Sequence, residues 1–439
     1  MKRKLTSVEQ LIDANIVYFV RLEDSLGVNQ LRSALTCVQR KHPALRSMIR
    51  EEPDGLYYEA DCAPEIPLRI VSRIDESHYR HECHVELTTV FAYGQPQLRA
   101  VWLKSELESD LLLTTSHRIC DGMSMLTIVR EVVGSLNSNE ELIPYAPITP
   151  RDMIGDYQPP QPWKRKLVAF LLNGLLRLIP SSHRAPESNE HFLEWTADRA
   201  LLDALKQRSK AEGASLHAAL IVALDRALLA VFGKDKLPGW IENPIDARRG
   251  RLAALKSDMV FFGGGSFKVR TGQAPDLEFW ERARAINEEM RRLIEQELLE
   301  IPGRYHFHEM LHPLSRGKIQ SIVHLGDALK MNGSWNRFAL SNLGNIAIGD
   351  NKSPFRVKDL RIYMHSFNVR ALCLITYTLN GEMRFCCVGD EKCLIRSQAD
   401  TLKCRFMDLL REQVLQADNQ ADDGASEVSH LVAVSEGYR

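Results

Sequence analysis

The chain consists of two long segments that each mix strand-like and helix-like patterns, separated by a polar stretch at 181–191 (SSHRAPESNEH). Mixed elements on both sides of such a stretch predict an α/β or α+β fold with its main domain boundary there. With 439 residues the chain is long enough for two or three domains. We therefore expect an N-terminal lobe over 1–180, a linker over 181–191 and a C-terminal lobe over 192–417. Residues 418–439 are acidic and polar, which predicts a disordered tail.

The net charge limits the binding partners that we expect, and the cysteine content indicates the cellular compartment. The formal net charge is −1, so no overall field attracts nucleic acid or an anionic membrane. The nine cysteines are an odd number and form no CxxC pair, which favours a reducing, cytoplasmic setting. The first residues, MKRKLTSVEQ, have no apolar run typical of a signal peptide. No apolar stretch reaches the roughly 18–20 residues that a membrane span requires. We expect a cytoplasmic monomer.

One segment has a composition that also suits contact with a membrane surface. Residues 164–180 (KRKLVAFLLNGLLRLIP) are basic and then mostly apolar. This composition favours a buried helix in the second layer of the fold. Contact with a membrane surface, or a cover over an apolar pocket, is the alternative.

The chemistry is concentrated in the segment SHRICDG, residues 116–122, which follows a strand pattern at 111–115. Apolar residues at helical spacing begin at Met125, so the segment is predicted to be a strand-to-helix loop on a rigid scaffold. A neutral imidazole at His117 can take a proton from a hydroxyl or amine and return it to a thiolate. Asp121 can fix the loop or the ring, and Gly122 permits backbone conformations that other residues avoid.

The segment resembles the H-H-x-x-x-D-G motif of the chloramphenicol-acetyltransferase-like superfamily. That superfamily includes condensation domains of nonribosomal peptide synthetases, polyketide-associated acyltransferases, wax-ester synthases and alcohol acetyltransferases. Three further segments resemble it in the expected order: Leu31–Arg46 (LRSALTCVQRKHPALR), 243–249 (NPIDARR) and 338–344 (FALSNLG). Together they cover nearly the whole chain.

The resemblance implies a pseudo-dimer of two lobes with an active-site tunnel between them. A thioester donor, either acyl-CoA or the phosphopantetheinyl arm of a carrier protein, enters from one face. A small-molecule alcohol or amine acceptor enters from the other, and no further cofactor and no covalent acyl-enzyme are implied. His117 takes the position of the general base.

The resemblance also implies roles for residues around His117. Asp121 takes the position of a structural residue that pairs with an arginine. Arg248 is the preferred partner, with Arg249 and Arg46 behind it. Ser341 and Asn342 are candidate donors to the oxyanion that forms during acyl transfer.

One position departs from the motif, because Ser116 stands where the superfamily has its first histidine. We expect the change to affect loop packing or substrate handling more than catalysis. No adenylation or carrier segment is visible, so a free-standing enzyme is expected. Three functions stay open: an O-acyltransferase of lipid or secondary metabolism, a free-standing condensation enzyme that forms an amide or ester, and a catalytically inactive binding relative.

Other residues with chemical potential have simpler explanations. The segment HEMLH, residues 308–312, matches the zincin pattern with Glu309 as a base. Pro313 follows at once and would end the required helix, so we expect a packing role and no metal site. Cys120 is interpreted as a small buried side chain and His217 as a packing residue in an apolar helix.

Overall fold

A computed structural model of the chain describes residues 2–435 with internal gaps. The described ranges are 2–6, 9–10, 12–52, 55–138, 141–182, 189–249, 252, 255–274, 276–312, 314–328, 338–349, 354–367 and 372–435, the last as backbone alone from 416 onward.

The strands and helices lie in both halves of the chain, as predicted for an α/β or α+β fold. The described strands are β1 (Lys2–Lys4), β2 (Ala14–Glu23), β3 (Met48–Glu52), β4 (Gly55–Glu59), β5 (Leu68–Ser72), β6 (Leu98–Lys104), β7 (Glu108–Ser116), β8 (Glu190–Ala197), β9 (Trp240–Ile245), β10 (Gly265–Arg270), β11 (Phe338–Ile346), β12 (Val357–Ser366), β13 (Leu372–Leu379) and β14 (Glu382–Asp390). The described α-helices are α1 (Val28–Lys41), α2 (His78–Thr88), α3 (Gly122–Asn137), α4 (Pro150–Ile154), α5 (Pro162–Leu178), α6 (Arg199–Ala211), α7 (Leu216–Phe232), α8 (Phe279–His308), α9 (Arg316–Ala328) and α10 (Arg396–Ser435).

Two mixed sheets organise the two lobes. The N-terminal sheet has the order β12-β2-β7-β6-β5, and the C-terminal sheet has the order β10-β9-β11-β13-β14-β8. A small sheet, β1-β4-β3, lies beside the first. One large hydrophobic core surrounds the N-terminal sheet, and a second packs α6, α7, α8 and α10 against the C-terminal sheet.

The predicted boundary between the lobes needs one correction in topology. Strand β12 lies within the range assigned to the C-terminal lobe, yet it pairs antiparallel with β2 along its whole length, from Val357↔Leu22 to Ser366↔Ala14. It therefore completes the N-terminal sheet. The predicted linker is also shorter than expected, because β8 begins at Glu190; residues 183–188 lie outside the described residues.

Strand β2 is central to the fold but does not appear among the strands that the sequence predicts. It lies between β12 and β7 and is buried from Ala14 to Val20. A strand buried on both faces lacks the alternation of polar and apolar residues that identifies a half-buried strand.

The preferred interpretation of 164–180 as a buried helix is wrong. Helix α5 forms there, but Ala169 is its only buried residue. Most of its large apolar side chains face solvent. The reason is that the helix lies on the outside of α8 and the segment after it, where only one narrow side is covered.

The C-terminal segment also differs from the prediction of a disordered tail over 418–439. The backbone of α10 continues helical to Ser435, and the helix sequence contains no proline that would interrupt it. Residues 436–439 lie outside the described residues. Among the described helices, none alone is long and apolar enough to cross a membrane, although α6 and α7, bent by 104° at their junction, meet that criterion as a pair.

Candidate active site

His117 lies on the short loop between β7 and α3, as the sequence predicts. Strand β7 ends at Ser116, and the backbone N–H of His117 donates to the carbonyl of Ala14 at 2.8 Å. Asp121 then caps α3, because its carboxylate accepts the backbone N–H of Ser124 at 2.7 Å. The loop is therefore anchored at both ends.

The imidazole of His117 is held in one tautomer. Its Nδ1 lies 2.7 Å from the carbonyl oxygen of Cys120. A carbonyl can only accept, so Nδ1 carries the proton and the lone pair remains on Nε2. Burial lowers the pKa of His117, while the hydrogen bond to Cys120 and the charge of Asp121 oppose that shift. The ring is thus neutral and basic at Nε2 near neutral pH.

Asp121 is paired with Arg248 across the two lobes. The guanidinium donates to both carboxylate oxygens of Asp121, with N···O distances of 3.1 Å each. It also donates to Asp246 at 2.8 Å. Burial lowers the pKa of Arg248, but these two carboxylates outweigh it and raise the pKa above its ordinary value. The bidentate geometry fixes the loop against the C-terminal half.

Ser124 extends this connection between the lobes. Its hydroxyl accepts from Arg248 at 2.6 Å and from the backbone N–H of Phe261 at 3.1 Å. The same hydroxyl oxygen lies 2.8 Å from the carbonyl of Phe261, to which it donates. The guanidinium stacks over the Phe261 ring at 4.4 Å. Helix α3 is therefore held to the segment before β10 by both polar and aromatic contacts.

The other arginines considered as partners of Asp121 lie elsewhere. Arg46 donates to Asp61 at 2.7 Å and to the carbonyl of Tyr145 at 3.4 Å. The side chain of Arg249 lies outside the described residues.

Gly122 does not use the backbone freedom expected from the sequence, and its lack of a side chain leaves room for close neighbours. It is the first residue of α3 and is absent from the glycines with positive φ. A Cβ at this position would lie 3.2 Å from Leu343 Cδ2 and 3.5 Å from the Tyr18 hydroxyl. That hydroxyl donates to the Gly122 carbonyl at 2.8 Å. The absent side chain lets β2 and β11 approach the loop.

His117 faces a cavity of about 320 Å³ between the lobes. Its walls come from β2, β9, β10, β11, β12 and β13 and are mostly apolar. The ring of Phe262 meets His117 edge to face, with centroids 5.5 Å apart. Phe262 also lines a second, smaller cavity of about 60 Å³, which includes Met153 and Tyr305. An apolar cavity with few polar groups suits a small organic substrate.

The three other candidate residues have different positions. Ser341 lines the cavity of His117. Asn342, its neighbour on β11, lies 3.3 Å through Nδ2 from Nδ1 of His217 and is not among the residues that line the cavity. Ser116 is buried in the N-terminal sheet, paired with Asn15, and does not line it either. Of these three residues, the structure therefore places Ser341 alone on the cavity that His117 faces.

Sequence reasoning missed two polar residues of the cavity, Glu242 and Ser266. They lie on the paired strands β9 and β10, and Ser266 donates its hydroxyl to Glu242 at 2.6 Å. Neither belongs to a recognisable motif. A charged residue within the strand pattern of β9 was the available signal.

The remaining residues with chemical potential have structural contacts. Burial raises the pKa of Cys120 to about 12, so its thiol stays neutral. In HEMLH the helix α8 ends at His308, so the two histidines do not share a helical face, and His312 Nε2 contacts Arg177 at 2.9 Å. Among the described residues, no group of three His, Cys, Asp or Glu side chains is arranged to hold a metal.

Comparisons of the sequence with known proteins give a distant relative. No family profile matches the chain. A plipastatin synthase component from Bacillus subtilis (strain 168) is 25% identical over 256 residues, which is 54% of this chain. The chain spans only 10% of the length of that curated relative.

Solved structures match nearly the whole chain. Polyketide synthase associated protein 5 from Mycobacterium tuberculosis superposes with a TM-score of 0.63 and 12% identity, covering 94% of this chain and 98% of that one. The condensation enzyme VibH has a TM-score of 0.59 and 16% identity, with 94% of each chain covered. The cyclization-docking bidomain of EpoB from Sorangium cellulosum has a TM-score of 0.62 and 14% identity, covering 94% and 85%. The chain therefore has the two-lobed, chloramphenicol-acetyltransferase-like fold of condensation domains and of this polyketide-associated protein.

Proposed function

We propose that the chain transfers an acyl group from a thioester, on CoA or on a carrier protein, to a hydroxyl acceptor. One observation carries the proposal: His117 holds a neutral ring with its basic Nε2 on the wall of an apolar cavity between the lobes. Nε2 takes the proton of the acceptor hydroxyl as its oxygen attacks the thioester carbonyl. The tetrahedral intermediate then expels the thiolate, which recovers the proton from the imidazolium.

The surrounding residues support this cycle by position. The Asp121–Arg248 pair keeps the loop in place without contacting the reacting atoms. Ser341 is the candidate donor to the oxyanion, a contribution of about 3–4 kcal/mol for a well-placed donor. Ser116 and Asn342 do not fit that role, because neither lines the cavity. Two substrates held in a dry cavity supply the remaining acceleration.

A second candidate function is condensation, in which an amine or hydroxyl acceptor attacks a carrier-bound thioester. The similarity to plipastatin synthase and to the condensation enzyme VibH favours it. The carboxylate of Glu242 inside the cavity is also suited to an amine acceptor, since it can bind an ammonium group before deprotonation.

The decisive experiment follows free thiol release from a panel of acyl-CoAs and acylated carrier proteins with alcohols and amines. We expect acceptor-dependent release that falls at least about a hundred-fold in His117→Ala. Because the pKa of His117 is lowered, kcat/KM stays constant above neutral pH and falls as the pH drops through that lowered pKa and the ring is protonated.

Controls separate this role from a structural one. His217→Ala changes a histidine outside the cavity of His117 and is expected to keep the activity and its pH profile. Equal thiol release by the wild type and His117→Ala would contradict the proposed base. Release with amines but not alcohols would favour condensation. The absence of release from every donor would favour an inactive binding relative.

A further inference from the structure

Helix α5 presents an apolar surface that the rest of the described chain does not cover. Seven of the seventeen exposed large apolar side chains in the described ranges lie on this one helix. Phe170 is 74% exposed, and Leu178 is 81% exposed. We call this set the apolar stripe; its members are Trp163, Leu167, Val168, Phe170, Leu171, Leu175 and Leu178. Soluble proteins rarely expose a contiguous apolar area of this kind without a function for it.

The opposite side of α5 is the one that packs. Ala169, Leu172, Asn173 and Leu176 recur at i, i+3, i+4 and i+7 and are buried or half-buried. Asn173 donates to the carbonyl of Met310 at 2.9 Å. The fold therefore fixes the orientation of the helix and directs the apolar stripe outward.

The charges of α5 are all of one sign. Lys164, Arg165 and Lys166 are the third to fifth residues of the helix and Arg177 lies in its last turn, and the helix sequence PWKRKLVAFLLNGLLRL contains no acidic residue. Positive charge at a helix N-terminus opposes the helix dipole, so the dipole does not explain this cluster. The whole chain has a formal net charge of −1, so the positive charge is local.

We propose that α5 binds the surface of a membrane that contains anionic lipids, with the apolar stripe inserted at the headgroup boundary. A helix with Trp, Phe and Leu on one side and only basic charges is the composition of an interfacial helix. Self-association fits less well, because in either orientation a second copy would bring further positive charge to the first turn of α5.

The position of α5 relates this surface to the cavities. Arg165 donates to the carbonyl of Gly303 at 2.7 Å, near the end of α8. Two residues further on, Tyr305 lines the smaller cavity and donates to the carbonyl of Phe262 at 3.0 Å. Phe262 contacts His117. Binding through α5 would therefore hold this side of the enzyme at the bilayer, where an acyl donor or acceptor with a long alkyl chain resides.

Vesicle flotation of the full chain tests the proposal. We expect the wild type to bind vesicles of phosphatidylcholine with phosphatidylglycerol and to bind phosphatidylcholine alone at least about ten-fold more weakly. Changing three stripe residues together, Leu167→Ser, Phe170→Ser and Leu171→Ser, is expected to lower binding at least about ten-fold. Leu107→Ser is the matched control, since Leu107 is 82% exposed on the β6–β7 turn and should leave binding unchanged.

A second variant keeps the test independent of the stripe. Lys164→Glu with Lys166→Glu should remove the preference for phosphatidylglycerol and leave folding intact, as checked by circular dichroism. Failure of the wild type to float, equal binding by wild type and both variants, or stripe-dependent binding only to a second copy or to a carrier protein would overturn the proposal. His117→Ala should bind vesicles like the wild type, so the membrane proposal and the proposed acyl transfer fail separately.

Discussion

Helices α3 and α5 are similar in length and apolar content but differ in almost every contact. Of the 16 residues of α3, nine are buried, and Asp121 caps its first turn. Of the 17 residues of α5, one is buried, and no side chain caps its N-terminus. The difference shows that apolar composition sets the capacity of a helix for burial, whereas the surface on which it lies decides whether burial occurs.

The largest expected effect is on core packing. Leu126→Ala in α3 removes a fully buried side chain and should lower the free energy of unfolding by about 3 kcal/mol. Leu171→Ala makes the same change on the exposed side of α5 and should alter it by less than about 0.5 kcal/mol. Urea denaturation of both variants measures the difference. Equal destabilisation would mean that the apolar stripe is buried in the protein in solution.

The second-largest expected effect is the loss of stability when an arginine at each of the two helices is removed. Arg248→Ala leaves Asp121 and Asp246 without their shared partner, which should cost about 2 kcal/mol because both carboxylates keep some contact with water. It should also slow the proposed acyl transfer, because the loop of His117 loses its anchor. Arg177→Ala on α5 is the control and should cost less than about 0.5 kcal/mol. If Arg248→Ala has no effect on stability, the connection between α3 and the C-terminal half is weaker than its geometry indicates.

The smallest expected effect concerns the first turn of α5. Lys164→Glu replaces an unfavourable charge near the helix N-terminus with a favourable one and should raise the free energy of unfolding by about 0.3–1 kcal/mol. Lys164→Gln, which only removes the charge, should produce a smaller gain. Thermal unfolding at low salt is the sensitive measurement. A loss of stability in both variants would show that the basic residues serve the fold and would weaken the membrane proposal.

Much of the site could be predicted because its residues lie in local sequence patterns. The strand before His117 and the helix after it have clear apolar periods, so the loop was identified. Arg248, the preferred partner of Asp121, is the arginine that contacts it, and it came from the resemblance of NPIDARR to a known segment. The catalytic role of His117 stays a prediction.

The other features of the site could not be predicted, because they depend on contacts between segments that are distant in the sequence. Ser341 and Asn342 are adjacent on β11 and so point to opposite faces of the sheet, and the strands of the other lobe decide which face meets the cavity. The close packing at Gly122 comes from Leu343 and Tyr18, which approach from other strands. The exposure of α5 likewise depends on what lies beneath it. The spacing of apolar residues within a single segment does not show which other segments will cover it.

Strand β12 has a consequence for how the chain can be divided. Without it, β2 would be an edge strand with an open row of backbone donors and acceptors. A fragment that ends in the segment between the lobes would therefore expose the unpaired backbone edge of β2 together with its apolar side chains. We expect such a fragment to aggregate, because this edge can pair with the same edge of another copy. Ribosomal synthesis poses the same problem for a time, since the N-terminal sheet stays incomplete until residue 366 has emerged. The N-terminal lobe cannot complete its sheet before most of the C-terminal lobe has been synthesised.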